Sequence, residues 1–169
     1  VNVDAAGDAL WPSPHDGRYL SGGSEPPRMY ETILVPTDGS DQADAALDHA
    51  VSLARENDAT IHLLYVADTN RDSVTTVGGR VVDALEAEGE RVTSETRERL
   101  DSDVEIVDTV ETGDPVETIL DYGEMVGADV IVMGTHGRSG LDRYLLGSTT
   151  ERIVRLSSIP VLTVREESE

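Results

Sequence analysis

From Thr32 to Val164 the apolar positions switch repeatedly between the short dense runs of buried strands and the 3.6-residue stripe of helices. Thr32-Ile33-Leu34-Val35-Pro36 reads as a short buried strand. Ala43, Ala46, Leu47, Ala50, Val51 and Ala54 follow at spacings that paint one apolar face of a helix. Thr60 to Ala67, with Ile61, Leu63, Leu64 and Val66, is a second strand. Val74 to Leu100 is polar overall but carries Val81, Leu85 and Val92 at helical spacing. Gly78, Gly79 and Gly89 oppose a helix there, because a mid-helix glycine costs about 1 kcal/mol relative to alanine.

Val104 to Glu111 alternates and is more polar than the other strands, as an edge strand would be. Asp114-Pro115-Val116-Glu117 combines an N-cap residue, proline in the first turn and glutamate three residues after the cap, and so opens a third helix. Val130-Ile131-Val132-Met133 is continuously apolar and reads as a central strand. Ser148 to Leu156 reads as a fourth helix. Pro160-Val161-Leu162-Thr163-Val164 is a last strand with proline at its first position.

Five strands alternating with about four helices predict an α/β fold, a parallel sheet covered on both faces and joined by right-handed crossovers. Ligands of such sheets bind beyond the carboxyl ends of the strands, where the strand order reverses. Pro36 to Ser40, Val66-Ala67-Asp68 and the stretch from Gly134 onward fall at those ends. The length of 169 residues suits one such domain, placed at 30–166, with a three-residue tail at 167–169. Residues 1–29 read as a disordered or poorly ordered leader: the first 28 hold four of the seven prolines and show no periodicity. Met29, directly before the first patterned segment, makes that leader an upstream extension of a domain that begins there.

Charge changes the picture in one respect. Lys+Arg number 13 against 34 Asp+Glu, for a formal charge of -21, and every basic residue is arginine. Excess charge alone would favour disorder, but the Val, Ile and Leu runs require a packed core. A lysine-free, acidic, folded domain resembles the proteins of salt-accumulating halophiles, where counterions screen self-repulsion. The same surface disfavours nucleic acid and anionic membranes. The absence of cysteine excludes disulfides and thiolate chemistry. With no apolar stretch of membrane-spanning length and no signal-like segment in the first 28 residues, the expected location is cytoplasmic.

The chemistry concentrates in Gly134-Thr135-His136-Gly137-Arg138-Ser139-Gly140-Leu141-Asp142-Arg143-Tyr144-Leu145-Leu146-Gly147-Ser148. Glycines between a strand and a helix let backbone N–H groups approach an anion, and the helix N-terminus adds open donors and a favourable dipole. Arg138 and Arg143 are its cations. The alternative is a tight turn in which Ser148 and Glu151 form a capping box and consume those donors. Asp38 is suited to accept ribose hydroxyls or to help hold Mg²⁺, or else is a turn residue before the first helix. His136 in the loop is either a proton donor or phosphate ligand or, as lone loop histidines more often are, merely exposed. His49 and His62 have no partner at metal spacing.

The pattern glycine-two-glycine-nine-glycine-serine after a strand, with Ile33-Leu34-Val35-Pro36-Thr37-Asp38-Gly39-Ser40 at the first strand end and Pro160-Val161-Leu162 near the C-terminus, resembles the universal stress protein family. The resemblance covers about Tyr30 to Arg165. It implies the strand order 3-2-1-4-5 and, in members with the complete glycine motif, binding of ATP. By resemblance, Pro36, Thr37 and Asp38 line the adenine and ribose side, the backbone of Val66 reads the adenine edge, and Met133 and Gly134 floor the pocket. Gly137, Arg138, Gly147, Ser148 and Thr149 surround the phosphates, with Asp38 assisting Mg²⁺ held through them. The family also implies a homodimer through the last strand, Val161 to Val164.

Rival chemistries lack their residues. A P-loop NTPase needs a lysine, and the chain has none. A dinucleotide-binding dehydrogenase would show its glycine fingerprint after the first strand, where Pro36-Thr37-Asp38-Gly39-Ser40 stands. Gly137-Arg138-Ser139-Gly140 lacks the spacing of a nucleophile elbow. The remaining readings are a nucleotide-binding regulatory module, a slow ATPase using Asp38, Asp142 or His136, and a family fold that binds no nucleotide. The first is the expectation, with no catalytic residue assigned.

Overall fold

A computed structural model describes residues 29–68, 80–100, 103–136 and 146–165. Its elements run β1 (Thr32–Thr37), α1 (Asp41–Asn57), β2 (Thr60–Asp68), α2 (Arg80–Arg99), β3 (Ile106–Gly113), α3 (Pro115–Val126), β4 (Val130–Gly134), α4 (Ser148–Leu156) and β5 (Val161–Val164). Of the leader only Met29 is among the described residues, and the tail lies outside them.

The five strands form one sheet in the order β3-β2-β1-β4-β5, every pair parallel. Ile33 is a register partner of both Ile61 and Val130, which places the most apolar strands at the centre. The polar β3 is an edge, as its alternation predicts, and β5 is the other. Pro160 precedes β5 rather than opening it, and its carbonyl accepts the Ile131 N–H at 2.9 Å.

Strand pleating sends alternate residues to opposite cores. Ile33, Val35, Ile61 and Leu63 pack with Ala46, Leu47, Ala50 and Ala54 of α1. Leu34, Leu64, Ile131 and Met133 pack with Val116, Ile119 and Tyr122 of α3 and Ile153 of α4. The six residues read as the apolar face of α1 are all buried. Beside that core, Tyr65 and Ala67 pack with Val92 of α2. Each Val, Leu, Ile or Met side chain among them, where fully buried, contributes roughly 1.5–3 kcal/mol of transfer free energy.

Gly89 sharpens a sequence expectation. The helix forms with this glycine inside it, at the point where α2 lies against the sheet. A Cβ there would stand 2.7 Å from the Tyr65 ring and 2.8 Å from Val110 Cγ1. At the amino ends of the strands, Asp129 closes the sheet: its Oδ2 accepts the Glu31 and Thr32 N–H groups at 2.7 and 3.0 Å. The opposite ends are left open.

Candidate functional site

In this strand order the chain leaves β1 toward β2 on one side and returns to β4 on the other. The two connections diverge at the carboxyl ends of β1 and β4, and a crevice opens between them. It has a volume of about 250 Å³, the scale of a small-molecule site rather than of a single water. Pro36, Thr37, Asp38, Val66, Met133, Gly134, Gly147, Ser148 and Thr149 all line it. Gly137 and Arg138 lie outside the described residues.

The β1 lip is a self-contained turn. Thr37 Oγ1 accepts the Gly39 N–H at 3.1 Å, Asp38 Oδ1 accepts the Ser40 N–H at 3.1 Å, and Ser40 Oγ accepts the Ala43 N–H at 3.3 Å as N-cap of α1. Gly39 sits at φ 73°, where other residues are strained. Asp38 therefore has the turn role anticipated for it, and it also lines the cleft.

The β4 lip is anchored through backbone. Thr150 Oγ1 donates to the Gly134 carbonyl at 3.0 Å, and the Gly147 N–H donates to the Thr135 carbonyl at 2.8 Å. These bonds seat α4 directly on the end of β4. The cap of α4 is Gly147, at φ -59° and ψ 151°, and among the described residues no side chain caps the helix. The first intrahelical bond runs from the Glu151 N–H to the Gly147 carbonyl at 2.8 Å. The amides of Ser148, Thr149 and Thr150 precede it, at the positive end of the helix dipole.

Three sequence expectations change here. The Ser148–Glu151 capping box does not form, because Ser148 is already the first helical residue. Gly147 offers no N–H to a ligand, since Thr135 takes it. Gly134 is glycine for packing: a Cβ there would lie 2.9 Å from the Gln42 carbonyl oxygen of α1.

The sequence reading missed an apolar wall of the cleft, formed by Tyr65, Leu85, Pro115 and Ile119. Its signal was their place toward the carboxyl end of β2 and in the helices that follow β2 and β3. Asp68 and His136 also line the cleft. His136 is half-buried rather than merely exposed; its Nδ1 lies 3.0 Å from Thr135 Oγ1, and its Nε2 is buried without a hydrogen-bond partner among the described residues. His62, away from the cleft, contacts Tyr122 Oη at 3.0 Å, and Thr109 Oγ1 meets the same hydroxyl at 2.9 Å. Burial pushes the His62 pKa down, partly opposed by Glu105. Among the described residues no group of three or more acidic or histidine side chains is placed to hold a metal. No described helix is long and apolar enough to cross a membrane.

A parallel sheet of this order, with a cleft at its switch point between an open helix N-terminus and an acidic turn, defines a doubly wound α/β domain of the small-ligand-binding kind. The chain belongs to the universal stress protein family, whose model matches residues 29–165. It is 34% identical over 142 residues to universal stress protein MJ0531 of Methanocaldococcus jannaschii, covering 82% of this chain and 84% of that protein. The solved structure of MJ0577, from the same organism, superposes with a TM-score of 0.75 at 33% identity, covering 83% of this chain and 99% of that one. A universal stress protein crystallised in complex with cAMP matches with a TM-score of 0.54 at 26% identity, over 80% of this chain and 97% of that one.

Proposed function

We propose that this chain binds an adenine nucleotide, ATP with Mg²⁺ first among them, and acts in the cytoplasm as a stress-response module whose output follows occupancy of the cleft. The observation that carries the reading is the open N-terminus of α4, with its Ser148, Thr149 and Thr150 amides, facing a cleft with an apolar wall. The amides suit phosphate oxygens and the wall suits a purine face. The relative crystallised with cAMP adds support for an adenine nucleotide.

In this reading Pro36, Thr37 and Asp38 flank base and ribose, the Val66 backbone reads the adenine edge, and Met133 and Gly134 floor the pocket. Ser148 and Thr149 meet the phosphates through their amides, Gly147 lines the approach beside them without an N–H to give, and Gly137 and Arg138 belong to the same loop. Mg²⁺, when bound, would neutralise phosphate charge. The donor set fits an ion held chiefly through phosphate oxygens with Asp38 assisting, since the described residues supply no carboxylate cluster of their own. The domain is 30–166, and the half-exposed edge strand Val161–Val164 pairs two copies. Light scattering should therefore give a dimer mass.

The test is calorimetry of the full chain with MgATP at high salt, after identifying any nucleotide released on denaturation. Ser148→Pro deletes one amide donor but keeps α4, because proline suits the first helical position and Gly147 already has an extended ψ. Loss of one charge-assisted bond, about 1.5–3 kcal/mol, weakens affinity roughly tenfold or more. Unchanged affinity would return the loop to a structural turn, and phosphate release abolished by Asp38→Ala would make the protein an ATPase.

A further inference from the structure

We propose that His136 binds a phosphate oxygen of the ligand through Nε2, taking up a proton to do so, so that nucleotide binding is proton-coupled. The inference rests on the nucleotide reading above and names how the site answers to pH.

The hydrogen bonds around Thr135 place one proton of the ring on Nδ1. The Thr135 hydroxyl has one proton and donates it to Gln42 Oε1 at 3.2 Å. The 3.0 Å contact between Thr135 Oγ1 and His136 Nδ1 is then a bond in which Nδ1–H donates. In the neutral imidazole this leaves Nε2 as a bare acceptor. That nitrogen is buried and has no partner among the described residues, although buried polar atoms are nearly always paired.

The ring stands next to the open donors of α4. The carbonyl of its neighbour Thr135 holds the Gly147 N–H, the contact that aims the helix into the cleft. Among the described lining residues, His136 is the one side chain able to become a cation. The charged groups that share the cleft are Asp38 after β1 and Asp68 at the end of β2; α1 contributes neutral Gln42 behind Thr135, and α4 neutral hydroxyl side chains. A polyphosphate arriving among two carboxylates raises the local negative charge, which favours imidazolium over imidazole. The added proton comes from solvent and sits on Nε2. The ring then donates from both nitrogens, to Thr135 and to the phosphate.

The experiment is calorimetry of the full chain with ATP at pH 7 in two buffers of contrasting ionisation heat, for wild type and His136→Gln. Wild type should take up a proton that the variant does not, and the difference between the two removes ATP's own ionisation. Wild-type affinity should rise as pH falls from 8 to 6, and the variant should be roughly tenfold weaker at the acid end, the scale of a charge-assisted bond. Adenosine, which has no phosphate, should show no proton uptake.

Equal proton uptake in the two proteins overturns the inference. Weaker binding in the variant with no change in proton uptake also overturns it, since Nε2 would then be accepting from a hydroxyl. Absence of ATP binding altogether defeats the nucleotide reading itself. Imidazole nitrogen NMR of the wild type gives an answer independent of any variant: Nε2 should move from the unprotonated to the protonated position when ATP is added, and an unmoved resonance is decisive against.

Discussion

The helices α1, α3 and α4 all begin at the carboxyl ends of strands, yet they finish their N-termini differently. In α1 the side chains of Thr37, Asp38 and Ser40 take up the backbone donors of the turn and first helical residues. In α3 one carboxylate oxygen of Asp114 accepts from Val116 and Glu117 at 3.0 and 3.1 Å. In α4 the cap is a glycine, and among the described residues no side chain is offered. The same four-donor problem faces every helix start. A helix that solves it internally is a structural part, and one that leaves it open next to a cleft is set up to have it solved from outside.

The sharpest way to break this contrast is to give α4 a cap of its own. Gly147→Asp places a carboxylate at the N-cap, in a backbone conformation that suits it. ATP affinity in calorimetry should fall by about 100-fold or more, close to 3 kcal/mol, as the new carboxylate takes the donors and repels phosphate. Stability in urea should rise by only a few tenths of a kcal/mol. Retained affinity would mean that the open amides are not where the ligand sits.

Gly134→Ala tests the other half of the β4 lip. Its Cβ would press within 2.9–3.1 Å of Gln42 in α1, so unfolding should show a loss of roughly 1–3 kcal/mol from overpacking. Asp114→Ala is the control for a helix start that is purely structural. It should lower stability by about 1 kcal/mol while ATP affinity stays the same.

The smallest effect concerns His62, away from the cleft. His62 is held by Tyr122, and its pKa is depressed by burial, so the folded state prefers it neutral. The unfolded chain binds its proton first as pH falls. The contribution of His62 is therefore fully present above about pH 6.5 and declines as pH drops through and below that value. His62→Gln should flatten this shallow part of the stability–pH curve measured by thermal melts. An unchanged slope would place the titration elsewhere.

Much of the architecture could be read from local pattern. The six apolar positions of α1, the polar edge character of β3, and the Asp114-Pro115 start of α3 are properties of short windows, and each stands as read. What local pattern misses is set by elements distant in the chain. Gly89 looks like a helix breaker until Tyr65 and Val110 are packed against it, and Gly134 looks like a phosphate approach until Gln42 is placed behind it. Leu85, Pro115 and Ile119 become a wall only after α2 and α3 are laid over the sheet. The Ser148–Glu151 motif was the reverse case: a correct local signature that the tertiary seating of α4 shifts by one residue.

The seating of α4 also bears on how such a protein diversifies. The Thr150 hydroxyl and the Gly147 N–H fasten the helix straight to the last residues of β4. The seat of α4 is thus set by backbone atoms and one hydroxyl near its start, and not by the exposed side chains farther along it. Val154 and Leu156, which face outward, can therefore change without moving the helix off the strand.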